Sequence, residues 1–190
     1  MKGILIKWML FTSALFTLTP ALATAKDLTL DPNHSYVQFH INHFGFSNPS
    51  GKWLAEGKLV LDEAKPQNST LNVTINVASV ETAIPELNKH LNSELFFNTK
   101  KFPTATFVSN KIDRTGKESA LIHGTLTLHG VSKPVTLKVK LNKKGINPIN
   151  NKLTYGFTAS TTLKRSDFGM KELLPGLGNE VKLDIEAEAS

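Results

Sequence analysis

Cysteine is absent from the 190-residue chain, so it has neither a disulfide framework nor a lipid-modified cysteine, and no thiolate to hold a metal. Its stability has to come from burial alone. Tryptophan and tyrosine number two each, too few for the aromatic girdles of an outer-membrane barrel. Arginine is as scarce: Arg114 and Arg165 stand beside twenty lysines, so a planar donor fork is available at only two places. No apolar run reaches the roughly 20 residues of a membrane-spanning helix. Nucleophile motifs are lacking too. Ser35 follows His34 and Ser166 precedes Asp167, but no glycine-framed elbow surrounds either serine. The formal charge of +6 falls to +4 once a leader carrying Lys2 and Lys7 is removed. The lysines are spread out, without the clustering and aromatic interleaving of a nucleic-acid surface.

What the sequence does have is alternation. From Leu28 onward, short runs place apolar residues at every second position: Val37, Phe39 and Ile41; Trp53, Ala55, Gly57, Leu59 and Leu61; Leu71, Val73, Ile75 and Val77. Further runs contain Ala105, Phe107 and Ser109; Ala120, Ile122, Gly124, Leu126 and Leu128; Val135 to Leu141; Leu153 to Leu163; and Val181 to Ala187. Period 2 means strands with one apolar and one wet face. About eight strands are expected, separated by turn chemistry at Asn48-Pro49-Ser50-Gly51, Lys65 to Asn68, Arg114 to Lys117, His129 to Pro134 and Lys143-Lys144-Gly145. Leu87, Leu91 and Leu95 break the rhythm with a spacing of four, predicting a helix of about three turns from Pro85 that caps one end of the sheet.

A sheet with one apolar face must pack on a second sheet or close on itself. The apolar parity holds Ala55, Gly57, Ala105, Ser109, Ala120, Gly124 and Ala159 among its large residues. An eight-stranded barrel sits at the size where the interior is just filled or holds one small ligand, so small inward residues favour a slot over a solid core, the competing reading at Gly57 and Gly124 being a bulge or a close backbone approach. The outer faces carry Lys138, Lys140, Lys182, Asp184 and Glu186, which suit water.

The chain begins Met1-Lys2-Gly3, continues with an apolar stretch from Trp8 to Leu18 and reaches Ala21-Leu22-Ala23, the pattern of a cleaved secretory signal. Residues 1–23 are expected to be removed, with the cut after Ala23 or Ala25. Residues 24–190 then form one exported domain. Among the six histidines, His40 and His43 fall on opposite faces of one strand and His34 lies far along it. No metal site and no catalytic residue is expected. Arg165, just before Ser166-Asp167, is the place where a donor fork could take a carboxylate or polar headgroup, the competing role being to anchor its own loop.

The ordered segments Asp31-Pro32-Asn33-His34-Ser35, His43-Phe44-Gly45, His90-Leu91-Asn92-Ser93, Phe102-Pro103-Thr104-Ala105-Thr106-Phe107, Gly124 to Val135 and Arg165-Ser166-Asp167-Phe168-Gly169-Met170 resemble the YceI family across essentially the whole mature chain. The resemblance implies an all-β, eight-stranded antiparallel, lipocalin-like barrel with one short helix between its third and fourth long strands. It also implies residence in the bacterial periplasm and a polyisoprenoid or similar amphiphile, quinone-like molecules included, held in an apolar tunnel without catalysis or cofactor. By position, the lining would come from Val37, Phe39, Ile41, Trp53, Ala55, Gly57, Leu59, Leu71, Val73, Ile75, Phe107, Ile122, Gly124, Leu126, Val139, Phe157, Val181 and Leu183. His34, His43, Arg165 and Asp167 are the candidate headgroup contacts. Leu87-Asn88 stands where the family usually has an Arg-Asp pair, and Asn98 where an aspartate is usual, so charge is missing from that corner. Expected partners are the lipid, a membrane surface or membrane protein, and a second copy in a homodimer; nucleic acid is not among them. Two other classes compete: an interaction module for a membrane electron-transfer or stress-response partner, and an enzyme acting on a lipid in the tunnel.

Overall fold

The computed structural model describes residues 25–190; the expected leader 1–23 and a cut after Ala23 lie outside them, and a cut after Ala25 would fall at their first residue. The strands are β1 (Lys26–Thr29), β2 (Tyr36–His43), β3 (Ser50–Leu61), β4 (Thr70–Asn76), β5 (Thr104–Arg114), β6 (Ser119–Leu128), β7 (Val131–Ile146), β8 (Leu153–Lys164) and β9 (Leu177–Ala189). From β2 to β9 each pairs antiparallel with the next, and β9 returns to β2. The result is a closed eight-stranded barrel. The ninth strand adds no stave. β1 pairs with Lys58–Leu61 of β3, beyond the stretch of β3 that β2 uses, and Leu30 bridges to Ala189 of β9. Thus β1 and β2 are two pieces of one stave, broken at Asp31–Ser35.

Two bulges reset the inside–outside parity. In β5 the register slips between Ser109 and Lys111, so Ile112 rather than residue 111 continues the inward row, and the strand runs on to Arg114. The Ser109 hydroxyl accepts the Leu71 N–H at 2.8 Å instead of leaving room in the interior. In β7 the slip lies between Leu141 and Lys143. Here the sequence reading is corrected: Lys143-Lys144-Gly145 is not a turn, because those residues pair with Gly156, Tyr155 and Thr154. The reversal comes later, at Asn147–Lys152, where the Asn147 carboxamide accepts the Ile149 N–H at 2.9 Å. The β6–β7 turn is also shorter than expected. It is the two residues His129 and Gly130, both at positive φ (52° and 75°), as a primed hairpin turn requires.

The helix, α1 (Pro85–Asn92), starts at the expected proline but lasts only eight residues. Ser93 turns extended there, so Leu95 falls outside the apolar stripe and is exposed. None of the helix residues is fully buried. It lies across one end of the barrel with Leu87 and Leu91 toward the interior.

Buried side chains form three clusters on the wall. Phe107, Ile112, Ile122, Leu126, Leu137, Phe168 and Met170 make one; Leu28, Leu30, Leu59, Tyr155 and Ala189 a second; Val37, Phe39, Trp53, Ala55 and Val80 a third. Half-buried Val73 packs against all three, and Leu71, Phe97 and Ile185 against two each.

Candidate functional site: an apolar bore through the barrel

The space between the clusters is a bore with two compartments. The one under α1 measures about 530 Å³ and the opposite one about 360 Å³, both within the range of about 300–1,000 Å³ for small-molecule sites. Val37, Ile75, Leu126 and Leu183 line both, so the two compartments abut at these four side chains.

The expected lining divides between them. Ala55, Leu59, Leu71, Val73, Phe107, Ile122, Val139 and Phe157 face the smaller compartment; Phe39, Ile41, Trp53 and Val181 face the larger. Gly57 and Gly124 face neither. A Cβ on Gly124 would stand 2.5 Å from the Val108 carbonyl oxygen and 2.5 Å from the Phe107 ring, and one on Gly57 would strike the Asn72 carbonyl oxygen. These glycines permit close approach of neighbouring strands. Room inside comes instead from Ala55, Ala120 and Ala159 in the smaller compartment and Ala105 in the larger.

The α1-end compartment has a lid that alternation could not show. Leu87 and Leu91 of α1, Ile84 just before it and Phe96 and Phe97 after it close over the bore, together with Phe168, Met170, Leu173 and Leu177. The fourfold leucine spacing was its one legible trace. Trp53 packs between Phe39 and Phe97, with ring centroids 4.9 and 5.3 Å away. Its buried indole N–H has no acceptor among the described residues. Asn88, in the corner that lost charge, accepts the Thr82 backbone N–H at 2.9 Å and its hydroxyl at 2.7 Å and donates to Glu81 Oε2 at 3.2 Å, a clasp at the start of the lid.

The opposite mouth is polar. Glu63 Oε1 accepts hydrogen bonds from Lys26 Nζ and the buried Tyr155 hydroxyl, each at 2.6 Å, and Oε2 accepts one from Lys144 Nζ at 2.6 Å. Bonded first by Lys144, then by Lys26 and Tyr155, the carboxyl is pulled down to about 2, so it stays ionised at any physiological pH. Arg114, Lys117, Glu118 and Glu186 complete the rim. This cluster joins β1, the turn after β3 and the β7–β8 hairpin, and no spacing rule foretells it.

The four headgroup candidates do not all converge: His43 and Arg165 both line the larger compartment, whereas His34 and Asp167 line neither. Arg165 is buried, and its guanidinium is spent on its own loop: Nε donates to the Gly178 carbonyl at 2.8 Å, Nη1 to Met170 at 3.1 Å and Nη2 to Leu177 at 2.9 Å. It anchors the 165–178 segment. Asp167 points away, exposed. His43 stands at the α1-end rim, its ring 4.8 Å edge-on from Phe44. His34 lies outside the bore, its Nδ1 2.9 Å from Asp31 Oδ2 in the turn that breaks the β1–β2 stave. That hydrogen bond lowers the Asp31 pKa and raises that of His34. A tight turn brings together two residues that an extended strand would separate; His40 and His123 meet Asp184 and Asp113 across strands at 3.4 and 3.2 Å. Donor atoms of Asp31, His34 and Glu188 lie within 4.8 Å of one another at the surface.

Comparison with known proteins adds to this geometry. The YceI-like domain model matches residues 28–189. A UPF0312 protein of Pseudomonas aeruginosa (strain LESB58) is 41% identical over 177 residues, covering 93% of this chain and 92% of that protein. Among solved structures, Burkholderia cenocepacia BcnA superposes with a TM-score of 0.75 at 24% identity, over 85% of this chain and 99% of its own. A polyisoprenoid binding domain from Saccharophagus degradans superposes with a TM-score of 0.63 at 17% identity, over 86% and 97%. At those identities the two structures speak for the fold.

Proposed function

Because the chain belongs to the YceI-like domain family, we propose that it is a periplasmic binding and carrier protein for a long-chain isoprenoid or comparable amphiphilic lipid, quinone-like molecules included, with the hydrocarbon lying in the bore. The observation that carries this reading is the bore itself, two apolar compartments meeting at Val37, Ile75, Leu126 and Leu183 inside a closed wall. Each buried methylene contributes about 0.8 kcal/mol, so a chain long enough to span both compartments binds through area, without catalysis or a cofactor. The Saccharophagus degradans neighbour, a polyisoprenoid binding domain, supports the class of guest, and the leader-like start at Met1-Lys2 supports export. Such a guest is nearly insoluble in water, so its donor and acceptor are a membrane surface or a protein within one.

The test is to purify the protein from its own periplasm without detergent, extract the folded protein with organic solvent and identify bound molecules by mass spectrometry. A polyprenyl or long acyl compound near one per protein is the expected result. Protein that emerges pure, folded and free of lipid would overturn the reading.

A further inference from the structure

Between Glu118 and Asp167 the chain has no acidic residue, while it has seven lysines and Arg165. Apart from Arg165, which is buried, and Ser166, this segment lies in β6, β7 and β8 and their turns, three adjacent staves. The charge asymmetry along the sequence is therefore a basic face on the barrel. Lys138 and Lys140 are exposed on β7, opposite Ser160 and Thr158 of β8. Carboxylates return at the flanks, with Asp184 and Glu186 on β9 and Asp113 on β5, which pairs with Lys111 at 2.7 Å. They return also at the mouth itself, where Glu63 is paired with Lys26 and Lys144 and Glu118 shares the rim with Arg114 and Lys117.

At one end this face becomes apolar. β6 pairs with β7 only as far as Lys140, and β9 pairs with β8 only from Tyr155. The β7–β8 hairpin therefore overhangs both neighbours. On the overhang Ile146 is 58% exposed, Ile149 92% and Leu153 37%, beside exposed Lys143 and Lys152. Ile146 and Leu153 face each other two residues beyond the Lys144–Tyr155 pair, on the side of the hairpin that looks over the polar mouth. Hydrogen bonds hold the tip: Asn147 N–H to the Lys152 carbonyl and Asn151 N–H to the Asn147 carbonyl, both 2.8 Å. A fixed loop thus presents isoleucine to water, which monomeric surfaces ordinarily avoid in groups. The opposite mouth also shows apolar side chains, Phe44, Phe46, Ile84 and Leu173. The segments there carry Glu86 and Glu172 as well as Lys89 and Lys171, whereas the overhanging β7–β8 hairpin carries Lys143, Lys144 and Lys152 and no acid.

We propose that the β7–β8 overhang docks the protein on an anionic phospholipid bilayer, with Ile146, Ile149 and Leu153 entering the interface and Lys143 and Lys152 on the headgroups. Leu141, Lys144 and Tyr155 of the same hairpin line the smaller compartment, so docking sets that mouth against the membrane. The purpose of docking, handing lipid across, rests on the lipid-binding reading; the docking itself does not. A few apolar side chains with a basic patch give reversible binding, as a carrier needs.

The experiment is co-sedimentation of the mature chain with 100-nm vesicles of pure phosphatidylcholine, or of phosphatidylcholine with phosphatidylglycerol at 3:1. Partition is expected to favour the anionic vesicles by roughly tenfold or more and to collapse in high salt. The double variant K143E/K152E should weaken it by roughly twentyfold or more at low salt, each lysine near the surface being worth about fivefold. Ile149→Asp should weaken it as well, with both variants melting like wild type. Equal partition onto both vesicles, none onto either, or variants that bind like wild type would overturn the docking. Uptake of a fluorescent fatty acid from solution reports on the bore separately. Both variants should keep it, so lost vesicle binding can be told from a failure of the bore.

Discussion

Replacing Arg165 with methionine is expected to cost about 4 kcal/mol of stability, since three carbonyls would lose charge-assisted donors in a site closed to water. For a barrel of this size that lowers Tm by about 10 °C. The carbonyls belong to Met170, Leu177 and Gly178, and the segment they hold includes Phe168, Met170 and Leu173, part of the wall over the larger compartment. Methionine keeps much of the apolar stem, so the loss reports on the hydrogen bonds. Arg165→Lys should recover only part of it, because one ammonium cannot reach carbonyls set around a planar fork. Urea denaturation of the three proteins measures this. A variant as stable as wild type but unable to bind lipid would return Arg165 to the headgroup role that its sequence position suggested.

The second large effect is expected from Ala159→Phe, which should weaken lipid binding about a hundredfold while changing stability by no more than about 1 kcal/mol. The ring would take the place of roughly four methylenes of guest at about 0.8 kcal/mol each. Ala159 is the position to choose because it lines the smaller compartment yet belongs to none of the three buried clusters. Ala55 lines the same space but also packs with Val37, Phe39 and Trp53, so a phenylalanine there should cost stability too. Gly124→Phe would strike the Val108 carbonyl and damage the barrel whatever it did to binding. If Ala159→Phe costs several kcal/mol and leaves lipid affinity unchanged, the space beside it is not where the guest lies.

The alternation of Val37, Phe39 and Ile41 or of Leu71, Val73 and Ile75 was enough to read the sheet, its meander and most of the bore wall, because period 2 is a local property that closure leaves intact. It failed where a residue is added or a turn moves. The bulges after Ser109 and Leu141 flip parity, and the second turned an expected Lys143–Gly145 turn into the stem of the overhanging hairpin. Glycine on the apolar parity left two readings open, interior space or close backbone approach. At Gly57 and Gly124 it is the second, and the choice depends on the neighbouring strand and not on the glycine. The Glu63 cluster and the fate of Arg165 are tertiary, each partner brought in by strand pairing. The missing acids between Glu118 and Asp167 were readable all along; only strand adjacency made them one face.

The central claim is that a hydrocarbon chain fills the bore, and a chain-length titration tests it most directly. Trp53 is the one tryptophan among the described residues and lines the larger compartment, so its fluorescence can follow binding of a homologous series of prenyl alcohols. Affinity should rise steeply with each added isoprene unit, by about 0.8 kcal/mol per buried methylene, and level off once the chain spans both compartments. Affinity that does not depend on chain length would contradict the account.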